Sequence, residues 1–273
     1  MLSHSLVSFI IPCFNSGSFL LEALDSCRKS SFENYEVIIV DDGSSDLNTL
    51  DILNQVTSSN FISVVRTINR GASSSRNLGV KEAKGEFLFF LDSDNRIRPD
   101  YLTKAVKAIQ ENDEIGVVYA KPFFFGFEKG QEYSRFNAWD FSVDSLLAGN
   151  YVDMCSLVRK KAFLEVGGFD ENQELFFGED WDLWIRVSQA GWKFHFLNEV
   201  LFDYRIRKGS LMDQVDSQKR ERTLRYFGTK HGFIIHQRYR QYFRLMEKIQ
   251  SKPLSFFLRI IYYKYILRKP ILK

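Results

Sequence analysis

Gly85-Glu-Phe-Leu-Phe-Phe-Leu-Asp-Ser-Asp-Asn-Arg-Ile-Arg-Pro-Asp100 is the stretch whose reading decides the fold. Its five consecutive apolar residues, Phe87 to Leu91, predict a strand buried on both faces, because a half-exposed strand alternates apolar with polar side chains. The run stops abruptly in charge. Asp92 and Asp94 stand two apart, so in an extended segment both side chains leave one face, about 6.6 Å apart at the backbone and closer where the chain bends. Carboxylates aimed at one spot repel, and one pKa must rise unless something positive sits between them. A hard divalent cation with oxygen ligands meets that need. The bland alternative is a strand-end turn rich in Asp and Asn, common in α/β proteins.

Upstream the same pattern repeats. Leu6 to Asn15 predicts a strand stopped by Pro12 and Asn15, with Ser16 placed to cap a helix through Phe19, Leu20, Ala23, Leu24 and Cys27. Tyr35 to Asp41 predicts a second buried strand, closed by Asp42 and a Gly43 turn. A helix from Leu47 to about Val56, a strand from Phe61 to Thr67 and a helical Gly71 to Lys84 complete a strict alternation. Such alternation implies a mostly parallel, Rossmann-like α/β sheet flanked by helices, with ligands at the carboxyl ends of the strands. Pro12, Asp41, Asp42, Asp92 and Asp94 all fall there. No GxGxxG follows a predicted strand and no GxxxxGK[ST] loop is present, so a nucleotide would be held by carboxylates and a metal. Asp42 is suited to accept from base N–H groups or ribose hydroxyls, and Arg76 offers charge to a phosphate.

Downstream, a helix from Pro99 to Gln110 and a strand from Ile115 to Lys121 lead into an aromatic segment. Its Phe123, Phe124, Phe125, Phe127, Tyr133, Phe136, Trp139 and Phe141 read as satellite core or as a sugar-stacking platform. Tyr151 to Val158 predicts a strand, and Arg159 to Val166 a short helix ended by Gly167-Gly168. In Phe176-Phe-Gly-Glu-Asp-Trp-Asp-Leu-Trp-Ile-Arg186 the stripe Leu183, Val187, Ala190 predicts a helix with Glu179 and Asp180 at its N-terminus, where the dipole favours anions. Trp181 and Trp184 could also shield a carboxylate and raise its pKa towards that of a useful base.

Together these segments resemble the inverting family 2 glycosyltransferases, whose fold is called GT-A. The matching motifs, in order, are Ile-Ile-Pro-Cys-Phe-Asn at 10 to 15, Val-Asp-Asp-Gly-Ser-Ser-Asp at 40 to 46, and Asn69-Arg-Gly71 leading to Arg76-Asn-Leu-Gly79. They continue through Leu-Asp-Ser-Asp at 91 to 94, Val-Gly-Gly-Phe-Asp at 166 to 170, Glu-Asp-Trp-Asp-Leu-Trp at 179 to 184 and Tyr204-Arg-Ile-Arg-Lys-Gly-Ser210. The resemblance implies that Pro12, Cys13, Phe14, Asn15, Asp42, Arg76, Asp92 and Ser93 bind the donor. It implies Asp94 as the metal ligand, with Asp92 reaching ribose or metal, and Asp180 of the Glu179-Asp180 pair as the catalytic base. The implied cofactor is Mn²⁺ or Mg²⁺. Two departures stand out: Asn95 where many members carry a further Asp, and Arg207 where many carry His. An arginine cannot ligate a cation but could fork onto the donor diphosphate. The implied reaction moves a hexose or N-acetylhexosamine from a nucleotide sugar, UDP in the first instance, to a glycan or lipid-linked acceptor of surface polysaccharide. A catalytically inactive nucleotide- or carbohydrate-binding scaffold and a sugar nucleotidyltransferase are the alternatives.

At 273 residues, 45% hydrophobic and 26% charged, the chain has ample material for a core. The expected division is a GT-A catalytic domain over 1–210, nucleotide-binding to about 98 and acceptor-binding from about 99, followed by a basic helical extension over 211–273. The formal net charge of +3 hides an asymmetry: from Lys219 to Lys273 fifteen Lys and Arg face two Glu. Phe256 to Lys269 is an aromatic and aliphatic helix too short and too charged to span a bilayer. It suits contact with a membrane surface through 253–273, or packing on protein. No nucleic-acid recognition motif accompanies the charge, and no nucleic-acid partner is expected. Cys13, Cys27 and Cys155 form no CxxC pair and suggest free thiols. The apolar start lacks a basic leader and a small-residue cleavage site, so the expected location is cytoplasmic, peripheral on the inner face of the membrane.

Overall fold

The computed structural model of the chain describes residues 6–57, 61–126, 136–208, 210 and 215–266. They form two compact units, Met1–Thr223 and Leu224–Lys273.

The first unit is built on β1 (Val7–Cys13), β2 (Tyr35–Asp41), β3 (Ile62–Arg66) and β4 (Phe87–Phe90), with α1 (Gly17–Arg28), α2 (Leu47–Val56) and α3 (Ala72–Glu82) between them. These four strands are mutually parallel in the order β3-β2-β1-β4. All four residues of β4 are buried, which answers why its sequence does not alternate. The order reverses between β1 and β4, and such a switch point opens a crevice at the carboxyl ends of the strands. Gly79 lets α3 lie close on this sheet, since a Cβ there would come within 2.6 Å of Ile10 Cγ2.

The sheet continues through β5 (Arg96–Ile97), β6 (Ile115–Phe125), β7 (Leu157–Arg159) and β8 (Lys193–Arg205), giving the order β3-β2-β1-β4-β7-β6-β8-β5. Around them lie α4 (Tyr101–Gln110), α5 (Val143–Ala148), α6 (Lys160–Glu165) and α7 (Glu179–Gln189). The strand expected from Tyr151 to Val158 is reduced to β7, and residues 151–156 precede it as an irregular loop. β7 enters antiparallel between β4 and β6, so the sheet is parallel only in its first half and in the β6–β8 pair. Strand β6 runs to Phe125 rather than stopping at Lys121, because β8 pairs with it along that length.

The aromatic segment is largely packing. Phe124, Phe136 and Tyr204 form an edge-to-face trio, Trp139 stacks on Tyr151 at 4.3 Å, and Phe141 stacks on Phe194 at 4.0 Å. Phe127 and Tyr133 lie outside the described residues. The three cysteines are free and buried.

The second unit consists of most of α8 (Ser217–Ser251), then α9 (Pro253–Ile261) and one π-helical turn at Tyr262–Ile266. Pro253 is tolerated at the first turn of α9, where its missing N–H costs no helical bond. Among the described residues no helix is long and apolar enough to cross a membrane.

Candidate active site

The loops at the carboxyl ends of β1 and β2 are locked to each other by Asn15, whose backbone takes the left-handed conformation (φ 48°). Its Oδ1 accepts from the amides of Ser45 (2.8 Å) and Asp46 (3.0 Å), and its own amide donates to Ser44 Oγ. Asp46 in turn caps α2 by accepting from Thr49 N at 2.8 Å. Pro12 is half-buried and Phe14 is exposed beside this clamp. Cys13 belongs to the core: its thiol meets Ser16 Oγ, its carbonyl accepts from the Asp42 amide, and burial pushes the thiol pKa up. Ser16 occupies the N-cap of α1, but its hydroxyl pairs with Ser93 Oγ at 2.8 Å instead of capping the helix. Asp42 is buried, and its two oxygens accept from the amides of Arg70 and Gly71, at 2.8 and 2.9 Å. It therefore shapes the loop that leads into α3.

At the end of β4 the chain turns, with the Asn95 amide donating to the Asp92 carbonyl. Cations already sit against both carboxylates, and they are arginines. Arg76, 3% exposed on α3, donates from Nη2 to Asp92 Oδ1 at 2.6 Å and from Nη1 to Glu179 Oε1 at 2.8 Å. Its Nε is buried without a partner. Arg207 donates from Nε to Asp94 Oδ2 at 2.8 Å, which leaves its two Nη groups to turn elsewhere. Burial, then the neighbouring Asp92, raise the Asp94 pKa, against the opposing pull of Arg207. Among the described residues no group of three or more His, Cys, Asp or Glu could cage a metal ion by itself. Among the described residues no arginine takes the second oxygen of Asp92 or of Asp94. Two such hard oxygens suit a cation that takes the rest of its ligands from phosphates and water.

A third carboxylate joins this corner that the sequence did not reveal. Asp153 lies in the irregular loop that leads into β7, close enough to Asp92, Asp94 and Arg76 for the charge of each to act on it. Asp153 accepts from the Cys155 amide at 2.8 Å. Burial, with Asp92 adding to it, pushes its pKa up to about 7. An antiparallel insertion after the parallel half was the missing piece, and no local pattern announces one.

Helix α7 starts after Gly178, which takes the left-handed conformation (φ 76°) that Gly adopts without strain. Asp180, on its first turn, accepts from Asn150 Nδ2 and from the Trp181 amide, both at 2.7 Å. Its pKa is raised well above the ordinary value by burial first, then by Glu179 and Asp153. The expected indole shield does a related job: Trp184 Nε1 donates to the Val152 carbonyl and Trp181 Nε1 to that of Leu146. The two tryptophans thus pin the segment carrying Asn150 and Asp153 against α7. A carboxyl with a raised pKa beside a cation-lined cleft is a stronger proton acceptor, once ionised, than an ordinary carboxylate.

Residues 8–167 match the family model described as Glycosyl transferase family 2. The chain is 28% identical over 225 residues to the glycosyltransferase GlyG of Streptococcus pneumoniae, covering 76% of this chain and 73% of that one. It is 27% identical over 218 residues to the chondroitin synthase of Pasteurella multocida, covering 79% of this chain but only 22% of the synthase. Among solved structures, S. aureus TarS 1-349 in complex with UDP-GlcNAc superposes with a TM-score of 0.63 at 23% identity, over 77% of this chain and 61% of that one. The mannosyltransferase PcManGT from Pyrobaculum calidifontis, in complex with GDP-Man and Mn²⁺, gives 0.58 at 17% identity, over 75% and 58%. These neighbours share the fold, the GT-A architecture expected from the motifs.

Proposed function

The chain belongs to glycosyl transferase family 2, and from that premise we propose that it transfers a hexose or N-acetylhexosamine, with inversion, from a UDP sugar to a glycan or lipid-linked acceptor. The observation that carries the proposal is Arg76, whose one guanidinium bridges Asp92 of the β4 turn and Glu179 at the start of α7. That bridge holds the donor-side carboxylates and the Glu179-Asp180 pair within one side chain of each other. The crevice at β1 and β4 takes the nucleoside, with Pro12, Asn15 and the loop shaped by Asp42 around it. Asp180 accepts the proton of the acceptor hydroxyl as it attacks the anomeric carbon, and Asn150 fixes the carboxylate's orientation. Arg207, held by Asp94 through Nε, offers its remaining nitrogens to the diphosphate. Asp94 with Asp92 would hold a Mn²⁺ or Mg²⁺, which would supply neutralisation of the charge that grows on the departing diphosphate. UDP-GlcNAc and Mn²⁺ in two fold neighbours support a nucleotide-sugar donor and a divalent cation here.

Thermal unfolding with UDP or GDP, each with Mn²⁺ or with chelator, tests the donor half without an acceptor. A ligand at about 100 times its Kd adds about 2.7 kcal/mol of stability. The expected result is a UDP shift that needs both Mn²⁺ and Asp94, lost in Asp94→Asn. No shift with either nucleotide overturns the donor site.

A further inference from the structure

We propose that the second unit is a docking surface for an anionic lipid leaflet, lying in the interface without crossing it. Seven of the nine residues of α9 are apolar, and none of the nine is buried. Leu254 is 71% exposed and Phe257 and Leu258 are each 58% exposed. Only Ser255 and Arg259 interrupt the apolar surface, and at 100° per residue they fall on neighbouring arcs of one side. The turn that follows adds exposed Tyr262, Tyr265 and Ile266. A contiguous exposed apolar surface of this kind marks a membrane or protein contact. Nine residues at a rise of ~1.5 Å reach only about 14 Å, against a hydrocarbon core of about 30 Å. The helix can lie in the interface but cannot span it.

Helix α8 repeats the arrangement on a longer scale. Ile235, Tyr239, Tyr242, Phe243 and Met246 are exposed and share one stripe at helical spacing. Arg240, Arg244 and Lys248 form an exposed row beside it at four-residue intervals.

Charge selects the occupant. Lys219 to Lys273 carries fifteen Lys and Arg against two Glu, so the same face of a second copy would meet it with the same strong positive charge. An anionic leaflet attracts it instead, each basic residue near the surface raising partitioning by about fivefold. Amphipathic helices with aromatic and aliphatic residues on one side and Lys or Arg on the other bind in this way.

The test uses the full chain and needs no sugar nucleotide, so its failure is separate from failure of the glycosyl-transfer reading. Purified protein is sedimented with vesicles of phosphatidylcholine alone, or with about a third phosphatidylglycerol, at low and high salt. The expected result is more than about tenfold enrichment on the anionic vesicles, falling at high salt, and loss of binding in Phe257→Glu/Leu258→Glu. Both positions are exposed and outside the catalytic unit, and an unchanged melting temperature of that unit reports that the variant folds. Wild type staying in the supernatant with every vesicle overturns the proposal, as does full binding by the double variant. A wild-type dimer that the double variant converts to monomer, without vesicle binding, assigns the face to a second copy instead.

Discussion

Replacing Asp153 by Asn should stabilise the protein, and increasingly so as pH rises. The Asp153 carboxyl is pushed up to about 7, from an ordinary value of 3.8, chiefly by burial and then by Asp92. Between those values the folded chain holds a proton that the unfolded chain has released, so stability falls as pH rises towards 7 and levels off above it. Below about pH 4 both states are protonated and the difference vanishes. At about 1.36 kcal/mol per unit, the carboxylate costs roughly 2 kcal/mol at pH 5 and roughly 4 kcal/mol at pH 8.5. Asn removes that cost while keeping an oxygen for the Cys155 amide, which donates to Asp153 at 2.8 Å. Urea unfolding of wild type and Asp153→Asn at the two pH values, with chelator present, should show the gap widening by about 2 to 3 kcal/mol. A gap that does not change with pH, or a variant less stable than wild type at pH 8.5, would refute the reasoning. Asp153 lies beside Asp92 and Asp94, so the same variant should also shrink the thermal shift with UDP and Mn²⁺.

Asp180→Asn should keep that thermal shift and lose turnover by ~10²–10⁴, the range for a general base, as read by release of UDP. Because the Asp180 pKa is raised by burial and by Glu179, wild-type kcat should still be climbing with pH above the ordinary carboxylate range, until the carboxyl is ionised; a profile already flat there would remove it from the role. Arg76→Met leaves Asp92 and Glu179 without their shared cation and should cost about 3–5 kcal/mol in urea unfolding. Gly79→Ala presses a methyl onto Ile10 and should cost about 1–3 kcal/mol through overpacking, seen as a lower melting temperature with the UDP shift retained.

The parallel half of the sheet was legible because its strands are local statements: an apolar run and a polar stop, followed after β1, β2 and β3 by a helix within a few residues. Phe87 to Leu91 could belong only to a strand covered on both faces, and its neighbours at Val7 and Tyr35 obey the same rule. The second half was less legible because its strands depend on partners far along the chain. Tyr151 to Val158 looks like a strand by composition, yet the preceding residues are pulled out of the ladder. Asp153 accepts from the Cys155 amide, its carbonyl accepts from Ser156 Oγ, and the indole of Trp184 takes the carbonyl of Val152. Each bond substitutes for a rung of the sheet.

The Asp92–Asp94 pair shows the same limit in the site. Repulsion between two carboxylates demands a positive neighbour, and from spacing alone a metal ion was the simplest one. The fold supplies Arg76 from α3 and Arg207 from beyond β8, neither of which the local sequence can assign to a carboxylate. These ion pairs leave room for the proposed cation, because each arginine engages a single oxygen of its carboxylate. Arg76 and Arg207 satisfy one oxygen of each carboxylate, so the turn is held by contacts within the protein. Asp94 nonetheless keeps a raised pKa beside Arg207, because burial strips its carboxylate of solvent and Asp92 adds to that. The cation proposed above would therefore meet a turn already held in shape, beside a carboxylate that burial has deprived of solvent.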